Sequence, residues 1–223
     1  MKERPILMST PMVRATLREI DPKTQTRRVM KVQPPREVTS AGVMHAPGRG
    51  HDGEWSWLSG DPKDCDSWGV VGDEFRCPYG QLGDRIWVRE TFDPIYGQSP
   101  PDRIIEVDYR ADWETHGKHY RMKDEMGARR WKPSIHMPRE LSRILLEITG
   151  VRVERLQDIS ERDAEAEGIE RDSDGWRDYQ MPSTQCCGAA RDSYRTLWES
   201  INGPGSWAAN PWVWCISFRR IQP

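Results

Sequence analysis

The run Trp212-Val213-Trp214-Cys215-Ile216-Ser217-Phe218 decides how this chain must be built. It is apolar at consecutive positions, so a strand made of it has no face to offer water and is expected at the centre of a sheet. Residues 143–148 and 151–156 read as its partner, one long bent strand or a strand pair around Thr149-Gly150. Gly83-Asp84 opens a further strand over 85–92, where Ile86, Val88 and Glu90 alternate with Trp87, Arg89 and Thr91. Residues 104–110 read as another.

Helices are expected between these strands. Ser9-Thr10-Pro11 supplies a hydroxyl cap with proline in the first turn, and Met12, Val13, Thr16, Leu17 and Ile20 give an apolar stripe. Asp21-Pro22 should end that helix, because proline disfavours helix in the residue before it. Ser160 and Asp163 form a box-like start for a second helix that Gly168 stops. A third spans 189–201, with Tyr194, Leu197, Trp198 and Ile201 on one face. Short strands with a few helices predict an α+β fold: one domain over 1–223, a small mixed barrel flanked by helices. Two stretches, 33–76 and 111–133, read as long irregular insertions, the first tied down by Trp55, Trp57 and Trp68.

Composition narrows the function. The 223 residues carry a net charge of only -2, which excludes a generic polyanion binder. The first 36 residues nevertheless hold nine Lys/Arg against three Asp/Glu, leaving 24 bases and 32 acids for the rest. A basic end on an acidic body suits a localised anionic ligand such as a stretch of nucleic acid. Neither a leader sequence nor an apolar run of about 20 residues is visible, so no membrane partner is expected. Cys65, Cys77, Cys186, Cys187 and Cys215 lack regular spacing, which reads as free thiols in a reduced, cytoplasmic protein. Zinc is the sharper alternative for Cys65, Cys77, Cys186 and Cys187, but adjacent cysteines are not a C-x2-C clamp. No metal site and no cofactor is expected, since histidines occur singly and the glycine-rich phosphate loops are missing. Oligomeric state is not legible.

The basic end contains Lys23-Thr24-Gln25-Thr26-Arg27-Arg28, read as a turn on a rim leading into an extended segment. A lysine beside a hydroxyl is what acyl transfer needs, and paired arginines suit a phosphate or a carbonyl edge. The same run equally suits a solvated turn. Lys23 can activate Thr26 if burial or Arg27 and Arg28 lower its pKa, and Glu167 can supply a proton. Elsewhere, Trp207 and Asn210 sit in a Gly-Pro-Gly loop that either faces a ligand or tucks its indole inward. His136 is rigidly framed by Pro133 and Pro138.

The order of motifs resembles a known family. A capped helix, a K-T-x-T-x-R turn, a G-D-hydrophobic strand, an S-E-x-x-A-x-x-E-G helix and a final aromatic strand are similar to the ASCH domain, a branch of the PUA-like β-barrels. Residues 8–15, 23–28, 83–92, 133–139 and 197–214 resemble phage- and prophage-borne ASCH proteins. PUA-like barrels generally bind RNA or modified bases, and small bacterial ASCH enzymes hydrolyse the acetyl amide of N4-acetylcytidine. The resemblance implies that Lys23 activates Thr26 as the nucleophile while Glu167 protonates the leaving amine. It implies RNA or a modified nucleoside or nucleobase as partner, with Arg14, Thr24, Arg27, Arg28, Arg89, Trp207 and Asn210 as binding candidates. A non-catalytic reader and a metal-assisted ribonuclease are the other activities the family suggests. The chain departs from the small enzymes in having Asp21 where they have a glycine, and in being about twice their size.

Overall fold

The computed structural model describes residues 1–34, 38–43, 54–60, 69–97, 103–116, 131–182 and 186–222. In chain order its first strands are β1 (Glu3–Leu7), β2 (Gln25–Val29), β3 (Ser40–Val43), β4 (Glu54–Ser59), β5 (Gly69–Arg76), β6 (Arg85–Arg89), β7 (Phe92–Tyr96) and β8 (Ile104–Tyr109). The remainder are β9 (Leu145–Arg155), β10 (Arg171–Asp172), β11 (Gly175–Arg177), β12 (Cys186–Cys187) and β13 (Trp212–Ile221). Among the described residues four α-helices accompany them: α1 (Thr10–Leu17), α2 (Arg110–His116), α3 (Glu161–Ala166) and α4 (Ala190–Asn202).

The principal sheet has the order β1-β6-β9-β13-β2, with β1 and β6 parallel and the other pairs antiparallel. β13 lies inside it, as its apolar run requires. The reason is visible in its alternation. Trp212, Trp214, Ile216 and Phe218 join one buried cluster with Ile6, Ile86 and Val88, while Val213 and Cys215 join a second cluster with Ala164, Tyr194 and Trp198. The partner is a single bent strand, β9. Its register against β13 shifts where Ser217 faces Gly150 and Phe218 faces Ile148, so Thr149 is the extra residue.

Several expectations need correction. Residues 33–76 are not irregular where described. β3, β4 and β5 form an antiparallel meander whose Trp55 packs edge-on against Trp214 at 5.5 Å and whose Trp57 meets Trp212 at 5.1 Å. The i, i+2 spacing of two tryptophans was the strand signal, masked by the polar turns around it. Trp68 lies outside the described residues. The stretch 111–133 likewise begins in α2; residues 117–130 lie outside the described residues.

α1 ends at Leu17, four residues before Asp21, and Ile20 is 80% exposed rather than part of the stripe. The strand over 85–92 breaks after Arg89 because the buried Glu90 turns aside to Arg143, 3.0 Å away, and Phe92 starts the β7–β8 hairpin. Ile201, placed on the apolar face of α4, is exposed.

The architecture is α+β, but the principal sheet is not a closed barrel. Among the described residues no ladder joins its edges β1 and β2. A side chain spans them instead: Arg28 Nη2 on β2 donates to the carbonyl of Leu7 on β1 at 2.6 Å. No described helix is long and apolar enough to cross a membrane.

The aromatic contacts predict that Trp55→Ala lowers global stability by about 3–5 kcal/mol, the usual loss for deleting a buried aromatic ring. Guanidinium chloride unfolding measures it. An unchanged midpoint would show the meander to be an appendage rather than a wall of the core.

Candidate functional site

Three backbone hydrogen bonds hold the Lys23 turn. Lys23 N donates to Ala15 O at 2.9 Å, Thr24 N to Ala166 O at 2.9 Å, and Phe218 N to Thr24 O at 2.8 Å. The turn is thereby clasped between α1, α3 and β13. Asp21 adopts φ 48°, the left-handed conformation that Asp reaches more readily than most side chains. Gly168, at φ +81°, closes the other side: a Cβ there would lie 2.8 Å from Lys23 Cβ and 2.9 Å from Ala15 Cβ. Only a glycine lets α3 end this close to the lysine.

The motif is not on a rim. Lys23, Thr26, Arg27 and Glu167 are 3%, 1%, 4% and 6% exposed. Lys23 Nζ donates to Glu167 Oε2 at 2.6 Å and to the Glu167 carbonyl at 2.7 Å. The other carboxylate oxygen, Oε1, accepts from Arg27 Nη1 at 3.3 Å. Arg27 also donates from Nε and Nη2 to Glu154 Oε1 at 3.1 and 2.5 Å and from Nη1 to Gln25 Oε1 at 2.7 Å, with Asp163 Oδ2 3.4 Å from Nη2. Arg152 completes the cluster, 2.8 Å from both Glu154 and Asp163. Three cations therefore face three carboxylates.

Burial shifts the titration of this cluster. Desolvation pulls Lys23 below its ordinary pKa despite the opposing Glu167 carboxylate. Burial disfavours the charge on Glu154, but Arg152 and Arg27 outweigh it and hold the carboxyl below its usual range. Asp163 is lowered in the same manner, burial being overcome by Ser160, Arg152, Gln25 and Arg27. Beneath Arg27, burial raises both the Tyr194 phenol and the Cys215 thiol.

Strand alternation then divides the motif. Thr26 and Arg28 are paired with Ile216 and Trp214, so they share that face of the sheet; Gln25 and Arg27, paired with Ser217 and Cys215, share the opposite one with α3 and α4. The structure thus joins Lys23 to Glu167, whereas no hydrogen bond links Thr26 to either among the described residues.

The remaining candidates separate. Arg27 is enclosed by carboxylates and Gln25, and its guanidinium lies 5.9 Å from the Tyr194 ring. Arg14 Nε donates to Ala111 O, tying α1 to α2. Thr24 is exposed, its backbone engaged as above. Arg28 and Arg89 converge on Leu7: Arg28 binds its carbonyl, and Arg89 is its register partner. Trp207 tucks against Tyr194 at 6.3 Å and accepts on its carbonyl from Gln157 Nε2. Asn210, at φ 42°, accepts from Gln157 N at 2.9 Å. These last two latch a loop to the 3-10 turn after β9.

A cleft of about 600 Å³ opens beside the buried cluster, lined by Arg18, Ile20, Pro22, Arg162, Ala166 and Trp176 among others. Pro22 and Ala166 place its wall one residue from Lys23 and from Glu167. The described cysteines are unbridged, with Cys186 and Cys187 paired to β11, Cys77 buried and Cys215 in β13. Cys65 lies outside the described residues. Among the described residues no three His, Cys, Asp or Glu side chains group as a ligand set.

Glu154, Asp163 and Arg152 were absent from the candidates. Only their buried partner Arg27 makes them necessary, and that burial is not legible in the motif.

Glu167→Gln should cost about 3–5 kcal/mol, because it leaves the buried Lys23 and Arg27 charges short of a counter-ion. Lys23→Met combined with Glu167→Gln should recover part of that loss in urea unfolding. Acid adds a second outcome. The lowered carboxyls of Glu154 and Asp163 contribute stability in full above their ordinary values of 4.5 and 3.8, and lose it as pH falls through the lower folded values. Urea midpoints between neutral and acidic pH should fall over that window, less steeply in Glu154→Gln. No protein-family model, curated protein or solved structure matches the chain, so the reading of this site rests on its geometry and on the likeness of its motifs.

Proposed function

We propose that this chain is an ASCH-type, PUA-like protein that binds RNA or a modified nucleobase or nucleoside and hydrolyses an N-acyl amide such as that of N4-acetylcytidine. The observation that carries this reading is the 2.6 Å contact between Lys23 Nζ and Glu167 Oε2, which are 144 residues apart in the chain. Base and acid of the expected trio meet in a buried setting.

The pair suits the reaction. One proton passed from Nζ to Oε2 turns an ammonium and a carboxylate into a neutral amine and a carboxylic acid. Burial lowers the pKa of Lys23 and so eases release of that proton. Thr26 Oγ1 then attacks the acetyl carbon while its proton goes to the Lys23 amine. Collapse of the tetrahedral adduct breaks the C–N bond, and Glu167 protonates the departing cytidine amine. Water next attacks the acyl-threonine, giving a proton to Glu167; Thr26 takes its proton back from Lys23, and acetic acid leaves, losing its last proton to solvent as acetate.

A second reading, a reader of RNA or a modified base without chemistry, is favoured by one observation. Thr26 lies on the face of β2 opposite the side chain of Arg27, which Glu167 contacts. The two readings separate on incubation with N4-acetylcytidine. Hydrolysis predicts release of cytidine and acetate, abolished in Thr26→Ala and lowered roughly 10²–10⁴-fold in kcat by Lys23→Ala or Glu167→Gln. Absence of turnover by the unsubstituted protein, with binding retained, leaves the reader.

A further inference from the structure

We infer that the outer face of β1 and β6 is a separate binding site for the phosphates of single-stranded nucleic acid. Arg85, Trp87 and Arg89 alternate along β6, so they project away from Ile86 and Val88, which face the core. The parallel register sets Glu3 beside Arg85 and Leu7 beside Arg89. Arg139, from a 3-10 turn, adds a third guanidinium. Arg89 and Arg139 both lie over the Trp87 ring, 4.7 and 5.9 Å from its centroid. Arg28 arrives from the opposite sheet edge at Leu7.

Charge and donor accounting both favour an anion. Two acids share this face: Glu3, 2.9 Å from Arg139 and 4.0 Å from Arg85, and Glu147, the β9 register partner of Arg85. Glu147 is held by Arg219; of the neighbouring acids, Glu90 is held by Arg143, and Glu140 is exposed beside Arg139. On this face Arg85, Arg89, Arg139 and Arg219 meet two acids, Glu3 and Glu147, a surplus opposite to the balanced cluster around Arg27. Nε of Arg28, Arg85 and Arg89 is buried without a hydrogen-bond partner, and Arg89 has no ion pair among the described residues. A guanidinium stacked on an aromatic face keeps its N–H edge for phosphate, and the fork matches phosphate oxygens.

The ligand is a strand rather than a single phosphate because the row is long. Arg85 and Arg89 are four residues apart, about 13 Å at the rise of a strand. Leu7, partly exposed between Arg89 and Arg28, offers an apolar surface to a base. Arg28 reaches Leu7 from the core-facing side of β2, where it lies with the buried Thr26, so the outer row itself stops at Leu7 and Arg89. The inference stands apart from the amidohydrolase reading, since the row and the buried Thr26 occupy different faces of the sheet.

Fluorescence anisotropy with a labelled single-stranded 12-mer RNA tests the site, using the full chain between 50 and 200 mM salt. Three to four phosphate contacts predict a log–log salt slope of about −2 to −3, and affinity falling roughly 20- to 50-fold over that range. Arg85→Gln with Arg89→Gln should weaken binding and flatten the slope by about 1.4. Glu3→Gln should do the reverse, tightening binding severalfold as Arg85 and Arg139 lose their counter-ion; a damaged fold cannot produce that gain. Equal binding of single-stranded DNA also supports phosphate contact. The inference is overturned if the double substitution leaves the slope unchanged, if Glu3→Gln fails to tighten binding, or if the RNA is ignored while anionic vesicles are bound. Turnover of free N4-acetylcytidine reports on the amidohydrolase reading separately, so either can fail alone.

Discussion

Arg27 is the constraint around which the helical side of the molecule is arranged. Its side chain is wholly enclosed between β2 and the helices, where a charge without a counter-ion would cost several kcal/mol. Glu154, on β9 one strand beyond β13, Asp163 of α3 and Glu167 at its C-terminal cap meet that requirement together. The position of α3 against the sheet is therefore an electrostatic necessity as well as a matter of packing Ala164 and Ile169. Once Glu167 is held by Arg27, its second oxygen faces Lys23, and the lysine has a place in the interior. Gly168 permits the final approach.

The opposite face of the sheet obeys a different rule. It is closed by aromatic surface, with Trp55 and Trp57 of the meander against Trp212 and Trp214 of β13. Polar sequence around those two indoles makes the segment look like an elaborate loop, yet it supplies a wall of the main core. Thr26 and Arg28 belong to that side. Alternate residues of one short strand thus carry ionic chemistry on one side and a hydroxyl and an arginine on the other.

This division separates two kinds of cation in the basic end of the chain. Lys23 and Arg27 are neutralised inside, where their value lies in proton placement and geometry. Arg28, by contrast, reaches an edge that it shares with the arginines of β6. A count of basic residues treats all of them alike; only depth and partners distinguish a structural cation from one able to meet a phosphate.

Much of the scaffold was legible in order. The two-sided apolar run of 212–218, the Ser160 box, Gly168 and the bend at Thr149-Gly150 each express a local rule of periodicity, capping or backbone freedom, and local rules need no knowledge of the rest of the chain. The pairing of Lys23 with Glu167 came from likeness of motifs rather than from spacing, since contacts across 144 residues leave no period to read. What only the tertiary structure decided is burial and facing: that Arg27 points inward among three carboxylates, that Trp207 and Asn210 serve a loop latch, and that Arg28 and Arg89 converge on Leu7. The physical reason is that a side chain's charge and hydrogen-bonding capacity are set by composition, but their use depends on what the fold brings within 3–4 Å, the range over which ion pairs and hydrogen bonds act.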